Sequence, residues 1–128
     1  MRQMPASWRE LLRDTLRALA SDYDGQVRYL RDMGMTTGLR FDELALELDD
    51  ALQILSVPEY AHLVDKAVID AASLIDRKFA EMSGAGKAHH WTPEAARMSP
   101  EWEEIRRLAG QAVELMELKH PTHRSLEP

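Results

Sequence analysis

Apolar residues recur along this chain at intervals of three and four, and no stretch alternates convincingly with period two, so the pattern predicts helices and no strand. Ser7 with Glu10 three residues later makes a capping box, and Trp8, Leu12, Leu16, Leu19 and Tyr23 follow as one stripe of a first helix. Gly25 interrupts it. Either the helix continues through the glycine, at about 1 kcal/mol relative to alanine, or a second helix begins near Asp24. Val27, Leu30 and Met33 carry the stripe to Gly34, a C-terminal stop, and Met35 to Arg40 form a linker.

A further helix is predicted from Phe41 to Leu55, with Phe41, Leu44, Leu48, Ala51, Leu52 and Leu55 on its apolar face. Ser56-Val57-Pro58-Glu59 then reads as another helix start, with Ser56 as cap, Pro58 in the first turn and Glu59 at the capping-box position. That helix is expected to reach about Met82, with Tyr60, Leu63, Val64, Ala67, Ala71, Leu74, Ile75 and Met82 inward. It would be a rod of about 37 Å at the helical rise.

Ser83-Gly84-Ala85-Gly86 ends it and opens a loop through His89 and His90. Next come Thr92-Pro93-Glu94 and Ser99-Pro100-Glu101, two starts in quick succession. In each, the hydroxyl residue suits the N-cap and the proline the first helical position. Pro100 disfavours helix at Ser99, so the segment between has room for barely two turns. The last helix reads from Ser99 to about Leu118, with Trp102, Ile105, Ala109, Ala112, Val113 and Met116 inward, and Trp91 and Trp102 bracket the joint. The expected architecture is all-α: a single-domain antiparallel bundle of four to five helices with a short extra helix before the last. It occupies residues 1–120, followed by a disordered tail at 121–128.

Composition sharpens this picture. At 128 residues, 45% apolar and 30% charged, the chain can bury one core unaided. Cysteine is absent, which excludes disulfides, thiol chemistry and a Cys-ligated zinc. No apolar run is long enough to span a bilayer, and Met1 to Glu10 holds no apolar signal core, so a cytoplasmic chain with no membrane partner is expected. The net charge of −6 argues against a general nucleic-acid binder.

No residue set nominates a catalytic role. Glu59 and His62 share the Glu-x-x-His spacing of di-iron bundles, but such a site needs the motif twice, and His62 falls off the apolar stripe. His89, His90, His120 and His123 can bind a metal only if the fold brings them together; otherwise they are solvated loop and tail residues. Gly84-Ala85-Gly86-Lys87 lacks the spacing, the hydroxyl residue and the preceding strand of a phosphate loop. Arg9, Arg13 and Arg17 lie on one helix face and can touch phosphates, but they stand among Glu10 and Asp14, as on a solvated surface. Neither cofactor nor metal is expected.

The acidic middle is more informative. Phe41 to Asp65 carries seven acids and no Lys or Arg. On a helical wheel Glu43, Glu47 and Asp50 form one outer stripe and Asp42 with Asp49 another, with Leu46 between them and Ile54 beside the first. Like charges at this spacing destabilise a helix slightly. Either basic groups elsewhere in the fold or a basic partner should therefore balance them. The plainer alternative is a solvated face with Leu46 and Ile54 packed on another helix.

Over this helix, "FDELALELDDAL" (Phe41 to Leu52) resembles the Glu-x-x-Leu-Ala-Leu-Glu-x-Leu-x-Asp-x-Leu pattern of small all-helical MafI-type bacterial immunity proteins. The matching positions are Glu43 to Leu52. The resemblance implies an antitoxin that binds and blocks a cognate toxin, often a nuclease. The expected function is thus a non-enzymatic interaction module. Asp42, Glu43, Leu46, Glu47, Asp50 and Ile54 would contact a basic protein partner, and a homodimer through one helix face is compatible with the pattern. The alternative is a helical domain, enzymatic or not, that binds a small molecule or metal near His89, His90 and Trp91.

Overall fold

In the computed structural model, which describes residues 7–121, the chain is helical: α1 (Trp8–Ala20), α2 (Tyr23–Asp32), α3 (Asp42–Leu55), α4 (Lys66–Glu81), α5 (Pro93–Met98) and α6 (Pro100–Lys119). Short 3-10 turns occupy Ala61–Leu63 and Ala88–Trp91, and no strand occurs among the described residues. His123 and the expected tail beyond Pro121 lie outside the described residues. No described helix is long and apolar enough to cross a membrane.

Capping chemistry sets most boundaries. The Ser7 hydroxyl accepts the Glu10 N–H at 3.1 Å and opens α1. The chain breaks before Gly25 rather than running through it: Asp22 caps α2, its Oδ1 accepting the Gly25 N–H at 2.9 Å. A Cβ on Gly25 would stand 2.7 Å from the Ser21 Cβ, so the tight junction between α1 and α2 needs glycine there. Thr92 and Ser99 cap α5 and α6 as their sequence suggests, accepting the N–H groups of Ala95 at 3.1 Å and Trp102 at 3.2 Å, with Pro93 and Pro100 in the first turns.

The fourth helix departs from expectation. Ser56 does not start it; Ser56 closes α3, donating its hydroxyl to the Gln53 carbonyl at 2.7 Å. Turns fill the interval to Val64, and Asp65 is the true cap, accepting the Ala67 N–H at 2.8 Å. The helix has 16 residues, about 24 Å rather than 37 Å. Its inward stripe is rotated as well. Val68, Ala72, Ile75 and Phe79 are buried, whereas Leu74 is 47% and Tyr60 41% exposed.

The core is one cluster drawn from every helix. α6 packs against α1 and α4, and α3 packs against α1 and α4 in turn. Leu12, Leu16, Leu44, Leu48, Ile75 and Ile105 are fully buried in it. Truncating one such leucine to alanine costs about 2–5 kcal/mol. One end of the core is aromatic. Phe41 stacks on Tyr23 (centroids 5.7 Å apart) and meets Trp102 edge-on at 5.9 Å. Phe79 lies 5.5 Å from both Trp91 and Trp102. Indole N–H groups pin this end: Trp91 donates to the Met82 carbonyl at 3.0 Å and Trp102 to that of His90 at 2.8 Å.

The other end is polar. Arg9, Arg13 and Arg17 of α1 lie along the C-terminal part of α6, Arg9 and Arg13 half-buried and Arg17 exposed. Arg9 reaches the Leu63 carbonyl at 3.2 Å, Arg13 donates to the His120 carbonyl at 2.5 Å, and Arg17 pairs with Glu117 at 2.6 Å. Cations placed at a helix C-terminus satisfy its free carbonyls and its dipole. These arginines are engaged within the fold rather than presented together to phosphates.

Candidate partner-binding surface on α3

The side chains of α3 expected to meet a partner divide into three groups. Asp42, Leu46 and Asp50 are exposed, Leu46 by 51%. Ile54 is half-buried. Glu43 is half-buried and ion-paired with Arg40 on the preceding linker. Arg40 lies one residue before the acidic stretch, which is why that stretch looks unbalanced when read alone.

Glu47 corrects the expected outer stripe. It is half-buried and turned toward α1 and α2: Tyr29 donates its hydroxyl to Glu47 Oε1, and the Thr15 hydroxyl lies 2.8 Å from the same oxygen. Thr15 also sits 2.9 Å from the Leu11 carbonyl, so its single hydrogen serves one acceptor at a time. The signal lay in α1, where Thr15 occupies a buried position among Leu12, Leu16 and Leu19. A buried hydroxyl requires a partner, and Glu47 is one.

An unforeseen pair lies across α3 and α4. Asp76 of α4 is a like-charged neighbour of Asp49 on α3. Burial first, then the nearby Asp49 carboxylate, raise the Asp76 pKa above the ordinary aspartate value. Gln53 Nε2 donates to Asp49 Oδ2 at 2.6 Å from one turn further along α3.

Beside Leu46 a cleft of about 440 Å³ opens between α3 and the loop after α4, lined by Asp42, Ala45, Leu46, Ser83, Gly84, Lys87, Ala88 and Trp91. The acidic helix and the histidine loop, separate in sequence, thus share one hollow. Gly84 and Gly86, at φ of +114° and +79°, turn the chain sharply at its edge. The Lys87 ammonium donates to the Glu81 carbonyl at 2.9 Å, which holds it on the end of α4.

The described histidines do not converge. The rings of His89 and His90 lie against each other, centroids 4.1 Å apart. Glu59 and His62 are both exposed, Glu59 in a turn and His62 in the short 3-10 segment rather than together on an α-helix. His120 belongs to the polar end: its Nδ1 is 3.3 Å from Arg9 Nη1, and its Nε2 accepts the Asp65 N–H at 2.9 Å. Burial, then the Arg9 charge, hold its pKa below the ordinary histidine value; Arg13 adds to this and Asp65 opposes it. Among the described residues no group of three or more His, Cys, Asp or Glu is placed to hold a metal ion. No family model, curated protein or solved structure matches the chain.

Proposed function

We propose that this chain is a non-enzymatic interaction module, an immunity or antitoxin protein of the bacterial cytoplasm, that occludes a basic protein partner with the outer face of α3. The observation that carries the reading is Leu46, a half-exposed leucine on a helix whose outer face also presents Asp42 and Asp50. Acidic residues around an apolar anchor suit a cationic protein: the charge speeds encounter and the anchor slows release. The contact set is Asp42, Leu46, Asp50 and Ile54. Glu43 and Glu47 serve the fold through Arg40, Tyr29 and Thr15. An antiparallel bundle is the arrangement we infer behind this face, since Arg17 meets Glu117 while Arg9, two turns earlier in α1, meets His120, later in α6.

The test begins with affinity capture from the source organism and turns on variants. Asp42→Lys with Asp50→Lys should weaken the captured partner's binding by about tenfold or more and flatten its salt dependence. Leu46→Ala should raise the dissociation rate while changing stability by no more than about 0.5 kcal/mol. Affinity indifferent to all three changes would falsify the reading.

The cleft volume favours one second reading, a small-molecule site: about 440 Å³ lies within the range of roughly 300–1,000 Å³ usual for ligand pockets. A thermal-shift hit that disappears in Leu46→Ala, with the acidic face immaterial to any protein partner, would select it.

A further inference from the structure

We propose that the outer side of α4 and α6 is a self-association face, on which a second copy of this chain packs about a two-fold axis set across the helices. α4 then lies antiparallel on its copy, and α6 on its own. This surface is separate from the α3 face and does not depend on it.

Both helices carry a second apolar seam besides the one that meets the core. On α4 it is Ala67, Ala71 and Leu74; on α6 it is Leu108, Leu115 and Leu118. Spacings of three, four and seven residues hold each set on one side of its helix. The two seams adjoin. The Asp65 N–H bonds His120 at 2.9 Å, and Phe79 lies 5.5 Å from Trp102, so α4 and α6 run side by side in opposite directions. α3 takes the far flank of α4, and α1 the far flank of α6. The side between stays open: Leu74 is 47% and Leu118 77% exposed.

Charge names the occupant. Asp70 precedes Arg77 by seven residues on α4, and Arg107 precedes Glu114 by seven on α6. Because the helices run oppositely, the two arginines stand near one level of the face and the two acids near another, about 10 Å away. A two-fold axis across the helices exchanges those levels and sets each arginine against the copy's acids. Arg77 and Glu114 are exposed and have no hydrogen-bond or ion-pair partner among the described residues; a second copy supplies one to each. An axis along the helices would instead oppose like charges. Gln111 falls beside the favoured axis, where its amide can pair with the copy's amide. The net charge of −6 does not forbid this. Phe41 to Asp65 holds seven acids and no Lys or Arg, and the rest of the chain is nearly neutral. Two helix widths of about 10 Å over a length of about 24 Å give roughly 500 Å² per copy. That is the low end for a specific interface, so the dimer is weak and reversible.

Sedimentation equilibrium of the full chain over a range of concentrations should show a monomer–dimer equilibrium. Leu74→Lys with Leu118→Lys should raise its dissociation constant about tenfold or more. Circular dichroism at low concentration should find that variant as folded as the native chain, since both positions are exposed. The charge variants read out the axis. Arg77→Asp alone and Asp70→Arg alone should each weaken self-association about tenfold. Mixed together, the two variants should associate as the native chain does, because those opposed positions again differ in sign.

A native chain that stays monomeric into the millimolar range would overturn the proposal and leave this face to a different protein. A dimer indifferent to the Leu74 and Leu118 changes would overturn it too, since it must use another surface. Charge variants that fail to associate on mixing would reject the two-fold arrangement, and with it the assignment of a second copy.

Discussion

Glu47 of α3 and Tyr29 of α2 are joined carboxylate to hydroxyl, and that bond turns one acid of the helix into a structural tie. Replacing Glu47 by alanine removes the acceptor that Tyr29 and the buried Thr15 share. Urea denaturation should show a loss of about 1–3 kcal/mol. A Glu47→Lys change made to probe binding would therefore report on folding. An unchanged midpoint for Glu47→Ala would place the carboxylate back on the surface.

Arg106 of α6 ties three other helices together, α1, α2 and α5. It donates from Nε to the Ser21 carbonyl at 3.2 Å, and from Nη2 to Gln26 Oε1 at 3.3 Å and to the Ala96 carbonyl. Gln26 is itself buried and donates to the Leu19 carbonyl at 3.1 Å. Arg106→Ala should cost about 2–3 kcal/mol. Arg106→Lys should restore little of it, since an ammonium lacks the planar fork that reaches these acceptors. Full recovery with lysine would show that charge alone is what matters there.

His120 should make the protein acid-sensitive. Its pKa is lower folded than unfolded, so the unfolded chain takes up the proton first. The stability tied to the neutral ring is complete above the unfolded value of about 6.5 and is lost as pH falls from there through the folded value. Melting temperatures of the native chain and of His120→Gln, taken at neutral pH and about one unit below the unfolded value, should converge on acidification. A constant gap would remove the ring from the pH response.

Asp76 has the opposite sense of shift. Its folded pKa is raised, so its cost to folding is absent below the ordinary aspartate value and grows as pH rises through the folded one. Asp76→Asn should therefore raise the melting temperature at neutral pH by a few degrees at most, given the group's exposure, and leave it unchanged in acid. A loss of stability at neutral pH would mean that the carboxylate has a cationic partner in the fold.

Helix type and most caps were legible because they are local. Ser7, Thr92 and Ser99 each bond a backbone N–H three residues on, and the prolines after Thr92 and Ser99 agree with them. Ser56 is ambiguous in the sequence because the same hydroxyl can end a helix as well as start one. Asp65, whose backbone N–H is held by His120 from far along the chain, is the cap that local spacing does not reveal. The rotation of the α4 stripe followed from that wrong start. At the candidate surface, Asp42, Leu46 and Asp50 were readable as outward-facing from the wheel alone. The inward turn of Glu47 and the approach of Asp76 to Asp49 depend on side chains from other helices, which one helix's periodicity does not contain.

α6 joins two ends of unlike chemistry. Trp102 sits among Phe41, Phe79 and Trp91, while His120, about 27 Å away along the axis, sits among arginines. Ring stacking is indifferent to acid and salt, and the arginine end is not. Mild acid or high ionic strength should thus peel the molecule from one end, leaving the aromatic end as the last part to hold its shape.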